Sequence, residues 1–294
     1  MNLKTVFMGS PELAVHILQQ LVKQYAVCGV VTQPDRPAGR GNAIVSPPVK
    51  ILADELGIPT IQPERLRTPE SFAQLAAWQP DLIVVAAYGQ ILRQNVLDLP
   101  KYGCINVHTS YLPRWRGAAP IQAAILNGDK TTGVTIMRMD AGIDTGPILS
   151  QEKVPLDPQE TLSTLTQKLA EVGGRLLVDT LDEYISGKIT FRAQDEIGAT
   201  YAPMLSKTDG CLDFTQSGVE IDRKVRALND WPGTYTDVDG VNLKIRKVEF
   251  RTENGIVPGS REVVERFPAI GTLDGWIVLK EVQPAGKKWM SGAD

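Results

Sequence analysis

Short, wholly apolar runs that alternate with helix-like segments constrain this 294-residue chain most strongly. Leu82-Ile83-Val84-Val85-Ala86 carries no polar residue, so as a strand it must be buried on both faces. Residues 27–31 are likewise apolar, and residues 5–8 read as a strand. Leu13, Ile17, Leu18 and Leu21 recur at helical spacing along 11–24. Helices are expected at 48–56, stopped by Gly57 with Pro59 just beyond, and at 71–78. The alternation continues with a strand at 105–108, a helix at 121–127 and strands at 134–139 and 148–154. Thr161 then caps a long helix whose apolar face holds Leu165, Leu169, Leu176, Leu177 and Leu181. This order predicts an α/β fold, a parallel-rich sheet with helices on both sides.

Past Gly187 the texture changes. Residues 188–206 have weak periodicity and read as a linker. From Gly210 on, short β-rich runs are split by Asp239-Gly240, Asn254-Gly255, Pro258-Gly259 and Asp274-Gly275. One helix, 219–228, precedes Asp230-Trp231-Pro232-Gly233. Several short strands and one helix predict a small barrel. The expected organisation is a catalytic domain over 1–187, a linker over 188–206 and a second domain over 207–294.

A net charge of −3 excludes a generic polycation, so nucleic acid would have to be held by local patches. The three cysteines are far apart, form no C-x-x-C and lie among apolar neighbours, which predicts reduced, buried thiols and no metal site. The N-terminus runs straight into a strand without a signal peptide's apolar stretch, and no run reaches membrane-span length. The expected setting is the cytoplasm.

The candidate chemistry centres on residues 104–120. Asn106 and His108 lie two apart on a predicted strand, so their side chains share one face. A loop then carries Arg114, Trp115 and Arg116 towards a helix opened by Pro120. Between two later strands, the turn at 139–147 holds Asp140 and Asp144 among glycines. If the strands share a sheet, this turn is expected beside the end of the Asn106 strand. Asp144 would then orient His108 and accept a proton, whereas Asp140 better suits a local Asx turn. With no serine or cysteine nucleophile, such a set aligns an external amine with a carbonyl carbon. Asn106 and protonated His108 would donate to the oxyanion.

Two groups of cations suit phosphate. The long loop at 32–41 carries Arg36 and Arg40 among prolines and glycines, although a solvated loop tip explains it equally well. Lys244, Arg246 and Lys247 would form a basic face on the second domain, where acids are about as numerous. After the first strand comes Gly9-Ser10-Pro11-Glu12 rather than G-x-G-x-x-G, which speaks against a dinucleotide oxidoreductase.

Asn106-x-His108, Asp144 and Ser110-x-Leu112-Pro113 together resemble the folate-dependent formyltransferases. Residues 32–41 and 112–122, Gly133-Val134-Thr135-Ile136-Met137, Asp230-Trp231-Pro232 and Gln283-Pro284-Ala285-Gly286-Lys287-Lys288 resemble the tRNA-acting branch. The resemblance implies a Rossmann-like formyltransferase domain followed by a small C-terminal β-barrel of OB type. It implies 10-formyltetrahydrofolate as formyl donor, methionyl initiator tRNA as acceptor, no metal, no membrane and a monomer. The pterin would lie against Ala86, Ala87, Tyr88, Gly89, Gln90, Ile91 and Leu92, largely through backbone groups. Ser110, Leu112 and Pro113 would border the pocket, and Asp140 and Gly142 would close it. Arg36 and Arg40 would approach the tRNA acceptor end, with Lys207 and the barrel holding its body. An acceptor that is a small amine, or water, keeps the same triad. A tRNA-binding protein without catalysis leaves the triad unexplained.

Overall fold

The computed structural model describes residues 3–38 and 43–294. In chain order its elements begin with β1 (Thr5–Gly9), α1 (Glu12–Leu21), β2 (Val27–Val31), β3 (Arg36–Ala38), β4 (Ala43–Val45) and α2 (Pro48–Glu55). They continue with β5 (Thr60–Ile61), α3 (Pro69–Ala77), β6 (Leu82–Ala86), α4 (Gln94–Leu97), β7 (Cys104–His108), β8 (Arg116–Gly117), α5 (Pro120–Leu126), β9 (Thr131–Arg138) and β10 (Ile148–Pro155). Last come α6 (Leu162–Ile185), β11 (Tyr201–Ala202), a 3₁₀ turn (Lys207–Gly210), α7 (Gly218–Leu228), β12 (Thr234–Val238), β13 (Val241–Thr252), β14 (Arg261–Val264), β15 (Phe267–Gly271), β16 (Gly275–Pro284) and β17 (Met290–Ser291). Two compact units result: residues 1–117, 132–154 and 166–201, and residues 118–131, 155–165 and 202–294.

The first unit is built on a seven-stranded sheet in the order β10-β9-β7-β6-β1-β2-β5. The strands from β5 to β7 are all parallel, as the two-sided apolar runs require. β1, β6 and β7 are buried along their whole length. On one side Val6, Met8, Val31, Ile83 and Val85 pack with Leu66, Leu75, Tyr88, Leu92 and Val96. β9 runs antiparallel to β7, pairing Ile105 with Arg138 and His108 with Thr135. The expected long loop at 32–41 instead enters a short hairpin, in which Arg36 pairs with Val45 and Pro37 with Ile44. Pro34 and Pro37 hold the chain in the extended φ range, which suits a ladder as well as a loop.

In the second unit, five strands run β12-β13-β16-β15-β14, and β17 pairs with β16. The ladders are antiparallel. Ile221 and Val225 of α7 pack against Ile245, Ile277 and Leu279. Among the described residues no ladder joins β12 to β14, so hydrogen bonds do not close the sheet of the expected barrel between those two strands. Its helix starts at a capping box in which Ser217 and Glu220 exchange bonds with each other's backbone amides. Among the described residues no helix is long and apolar enough to cross a membrane.

Candidate active site

β7 presents Asn106 and His108 from one face, 9% and 6% exposed. β9 shares the sheet, but because it is antiparallel its far end lies beside Cys104, at the start of β7 rather than the end. The nine-residue connection that follows therefore folds back to bring Asp144 to the triad. Glycines allow that path. A Cβ on Gly146 would lie 1.9 Å from the Arg138 carbonyl, and one on Gly142 would lie 2.0 Å from the Thr145 hydroxyl. Asp144 itself sits in the left-handed region at φ 51°, a conformation aspartate tolerates better than most residues.

The three side chains meet. The Asn106 amide donates to Asp144 Oδ1 at 3.3 Å. That leaves its second N–H for a ligand. Asp144 Oδ2 accepts from the Gly117 amide at 2.8 Å and lies 3.6 Å from His108 Nδ1. His108 Nε2 is 2.9 Å from the Trp115 carbonyl. A carbonyl only accepts, so Nε2 carries the proton and Nδ1 is the nitrogen left facing Asp144.

The loop at 86–92 turns through Ala87 at φ 46° and Gly89 at φ 82°. Ala87, Gly89 and Ile91 face outwards, while Tyr88 and Leu92 join the core. Burial pushes the Tyr88 phenol well above its ordinary range. Tyr88 and Leu92 therefore offer a ligand only their backbone. The Tyr88 carbonyl accepts from Gln33, and the Gln90 side chain is committed to Leu66, Pro63 and Glu64. Among the described residues no protein group accepts from the main-chain amides of residues 87–92. A backbone edge with free donors and acceptors fits a flat heteroaromatic ring that carries both.

The remaining expected pocket residues divide. Ser110 is wholly buried and donates to the Arg114 carbonyl at 2.6 Å. Leu112 is buried with Met137 and Ile148, and its amide donates to Thr135. Neither side chain is exposed, and Pro113 is half-buried. Asp140 Oδ1 accepts from the Gly142 amide at 3.0 Å and the Thr145 hydroxyl at 2.8 Å, the local turn its setting favoured.

Sequence reasoning missed the segment 192–200. Gln194 donates to the carbonyls of Asp144 and Gly146 at 2.7 and 2.8 Å. Arg116, wholly buried, donates to Gln194 at 3.0 Å and to both oxygens of Glu196 at 3.0 Å. Thr200 accepts from the Trp115 amide at 2.9 Å. The only signal in the sequence was an arginine inside the 104–120 motif, with no indication of its partners.

Of the expected phosphate contacts, Arg36 pairs with Glu64 at 3.0 Å, both largely exposed. Arg40 lies outside the described residues. In the second unit, the β13 register shifts on either side of Lys247. This bulge leaves Arg246 and Lys247 both exposed, along with Lys244. Arg246 bonds Glu281 and lies 4.7 Å from the Trp289 ring centre. Lys207 opens the 3₁₀ turn and is exposed. Among the described residues no cluster of His, Cys, Asp and Glu has the makings of a metal site.

Residues 3–181 match the formyl transferase family, and residues 204–294 match the formyl transferase C-terminal domain. The chain belongs to the formyl transferase family. A methionyl-tRNA formyltransferase of Roseiflexus sp. (strain RS-1) is 49% identical over 299 residues, covering 100% of this chain and 92% of that protein. One from Geobacter sulfurreducens is 44% identical over 294 residues, covering 100% and 93%. Among solved formyl transferases, a sugar 3N-formyl transferase with dTDP and 5-N-formyl-THF is similar at TM-score 0.69 and 21% identity, covering 98% of this chain and 100% of that one. An N-formyltransferase from Helicobacter canadensis, in complex with folinic acid and dTDP-3-aminofucose, reaches TM-score 0.69 at 20% identity, covering 96% and 99%. At these identities the structural likeness bears on the fold.

Proposed function

We propose that this chain transfers the formyl group of 10-formyltetrahydrofolate to the α-amino group of methionyl initiator tRNA, the formylation step of translation initiation. The observation that carries this reading is similarity to methionyl-tRNA formyltransferases across the whole chain, its C-terminal unit included. Functionally, residues 1–187 form the catalytic domain, 188–206 connect and 207–294 help hold the tRNA. The protein acts as a monomer in the cytoplasm, without a metal.

The neutral α-amine attacks the formyl carbon as the C=O π electrons move onto oxygen. The free N–H of Asn106 and a protonated Nδ1 of His108 donate to that oxyanion. Asp144 takes the proton released by the attacking nitrogen, directly or through water. Collapse breaks the bond to N10 of the folate, and that nitrogen receives the proton. The sum is one formyl group moved from N10 to the amine and one proton moved back. The pterin lies along the backbone edge of residues 86–92, beside Ser110, Leu112 and Pro113 and under the Asp140–Gly142 turn. Arg36 and Arg40 serve the acceptor stem. The Arg36–Glu64 pair is exposed and worth at most about 1 kcal/mol, so a phosphate can displace the glutamate.

The decisive experiment compares formyl transfer to methionyl initiator tRNA, methionyl elongator tRNA and free methionine. Fast transfer to the initiator alone is expected. Folate deformylation without tRNA dependence would instead assign the triad to a small amine or water as acceptor.

A further inference from the structure

Asp144 is held in an unusual place: left-handed, inside a connection whose residues 140–143 are exposed. No main-chain donor among the described residues reaches the carbonyl of Asp144 or of Gly146. Both carbonyls are satisfied by one amide group, that of Gln194. Which way that amide faces is set from behind. Arg116 has only donors, so its Nε–H requires the Gln194 oxygen and turns the Gln194 NH₂ towards the two carbonyls. The guanidinium is in turn fixed by the two-point bond to Glu196, which lifts it further above its ordinary pKa. The same segment reaches His108 by a second route. Thr200 accepts from the Trp115 amide, and the carbonyl of Trp115 fixes the imidazole.

We infer that Gln194, oriented by the buried Arg116, is a positioning residue that holds the Asp144 backbone so that its carboxylate meets Asn106 and His108. Segment 192–200 is thereby part of the catalytic apparatus and more than a connection between domains. This rests on the formyl-transfer reading above.

The test is a double-mutant cycle on the full chain, with single-turnover formyl transfer at saturating substrates. Gln194 is only half-buried, so Gln194→Ala should fold. It is expected to lower the rate about 10- to 100-fold, the usual cost of displacing a reacting group by around 1 Å. Binding of 5-formyltetrahydrofolate and the melting temperature should stay unchanged. Gln194→Glu, which keeps the oxygen for Arg116 but turns oxygen on the two carbonyls, should be as slow as the alanine variant. In an Asp144→Asn background, Gln194→Ala should cost little more, because the group it positions is already gone. Undiminished turnover in Gln194→Ala would overturn the inference, as would an equal loss in both backgrounds. So would a loss matched by weaker folate binding and a lower melting temperature, the mark of a general structural role. If the wild-type chain itself transfers no formyl group to methionyl initiator tRNA, the functional reading fails instead.

Discussion

At the residue scale, the mechanism proposed above gives the three triad members separable tasks. Asn106→Ala removes one oxyanion donor and leaves the Asp144 carboxylate short of one partner. The expected loss in kcat is about 10²–10³-fold, with folate affinity little changed, since the donor acts mainly on charge formed in the transition state. Asp144→Asn retains an oxygen for the Gly117 amide but takes no proton, and should cost about 10²–10⁴-fold. Both are read by initial rates of formyl transfer, and near-normal turnover in either would remove that residue from the mechanism. The cysteines give a chemical check on burial. Desolvation pushes the Cys104 thiol up to about 12, so at pH 8 it stays protonated and unreactive. Cys211 is exposed and should be the first thiol that a disulfide reagent labels in the native protein. The expectation that all three are buried holds for Cys104, is met in part by the half-buried Cys28 and fails for Cys211, which is exposed although Gly210 and Leu212 on either side of it are buried.

At the element scale, the pattern was legible wherever burial alone decides structure. β6 is apolar on both faces, β1 nearly so, and α1 shows an apolar stripe, so strand and helix follow from spacing. Direction was not legible. An antiparallel β9 and a parallel one have similar side chains, and only the register shows that the Asp144 connection leaves beside Cys104. Segment 192–200 was opaque for a different reason: its contacts are polar side chains on carbonyls, which leave no apolar period. Capping is the opposite case, because Ser217 and Glu220 stand at the spacing of a capping box. Ser217→Ala should lower stability to denaturant by about 1 kcal/mol at pH 7. Bonds from Ser217 hold Glu220 below the ordinary carboxylate range. Its contribution is therefore present above the unfolded pKa and is lost as pH falls through the depressed folded value. An unchanged denaturation midpoint in Ser217→Ala would refute the cap's contribution.

At the scale of the whole molecule, a net charge of −3 and a polyanionic acceptor have to be reconciled. Local cations can do this if they are not already neutralised, and here the structure separates residues that sequence alone treats as equal. Lys244 and Lys247 are exposed and have no ion-pair partner among the described residues. Arg246 between them is bonded to Glu281 and stacked on Trp289, so its charge is partly spent within the sheet. If this face meets phosphates, each free lysine releases about one counterion on binding, and Lys244→Ala and Lys247→Ala should each flatten the log–log salt dependence of tRNA affinity by about 1. Arg246→Ala should flatten it less. All three should leave kcat at saturating tRNA and the affinity for folate as they are, because none is a triad residue or bonds to one. Filter binding of methionyl initiator tRNA across a salt series reads the slopes directly. Equal slopes in the wild-type chain and both lysine variants would move the RNA contact off this face and leave Arg36, Arg40 and Lys207 to supply it.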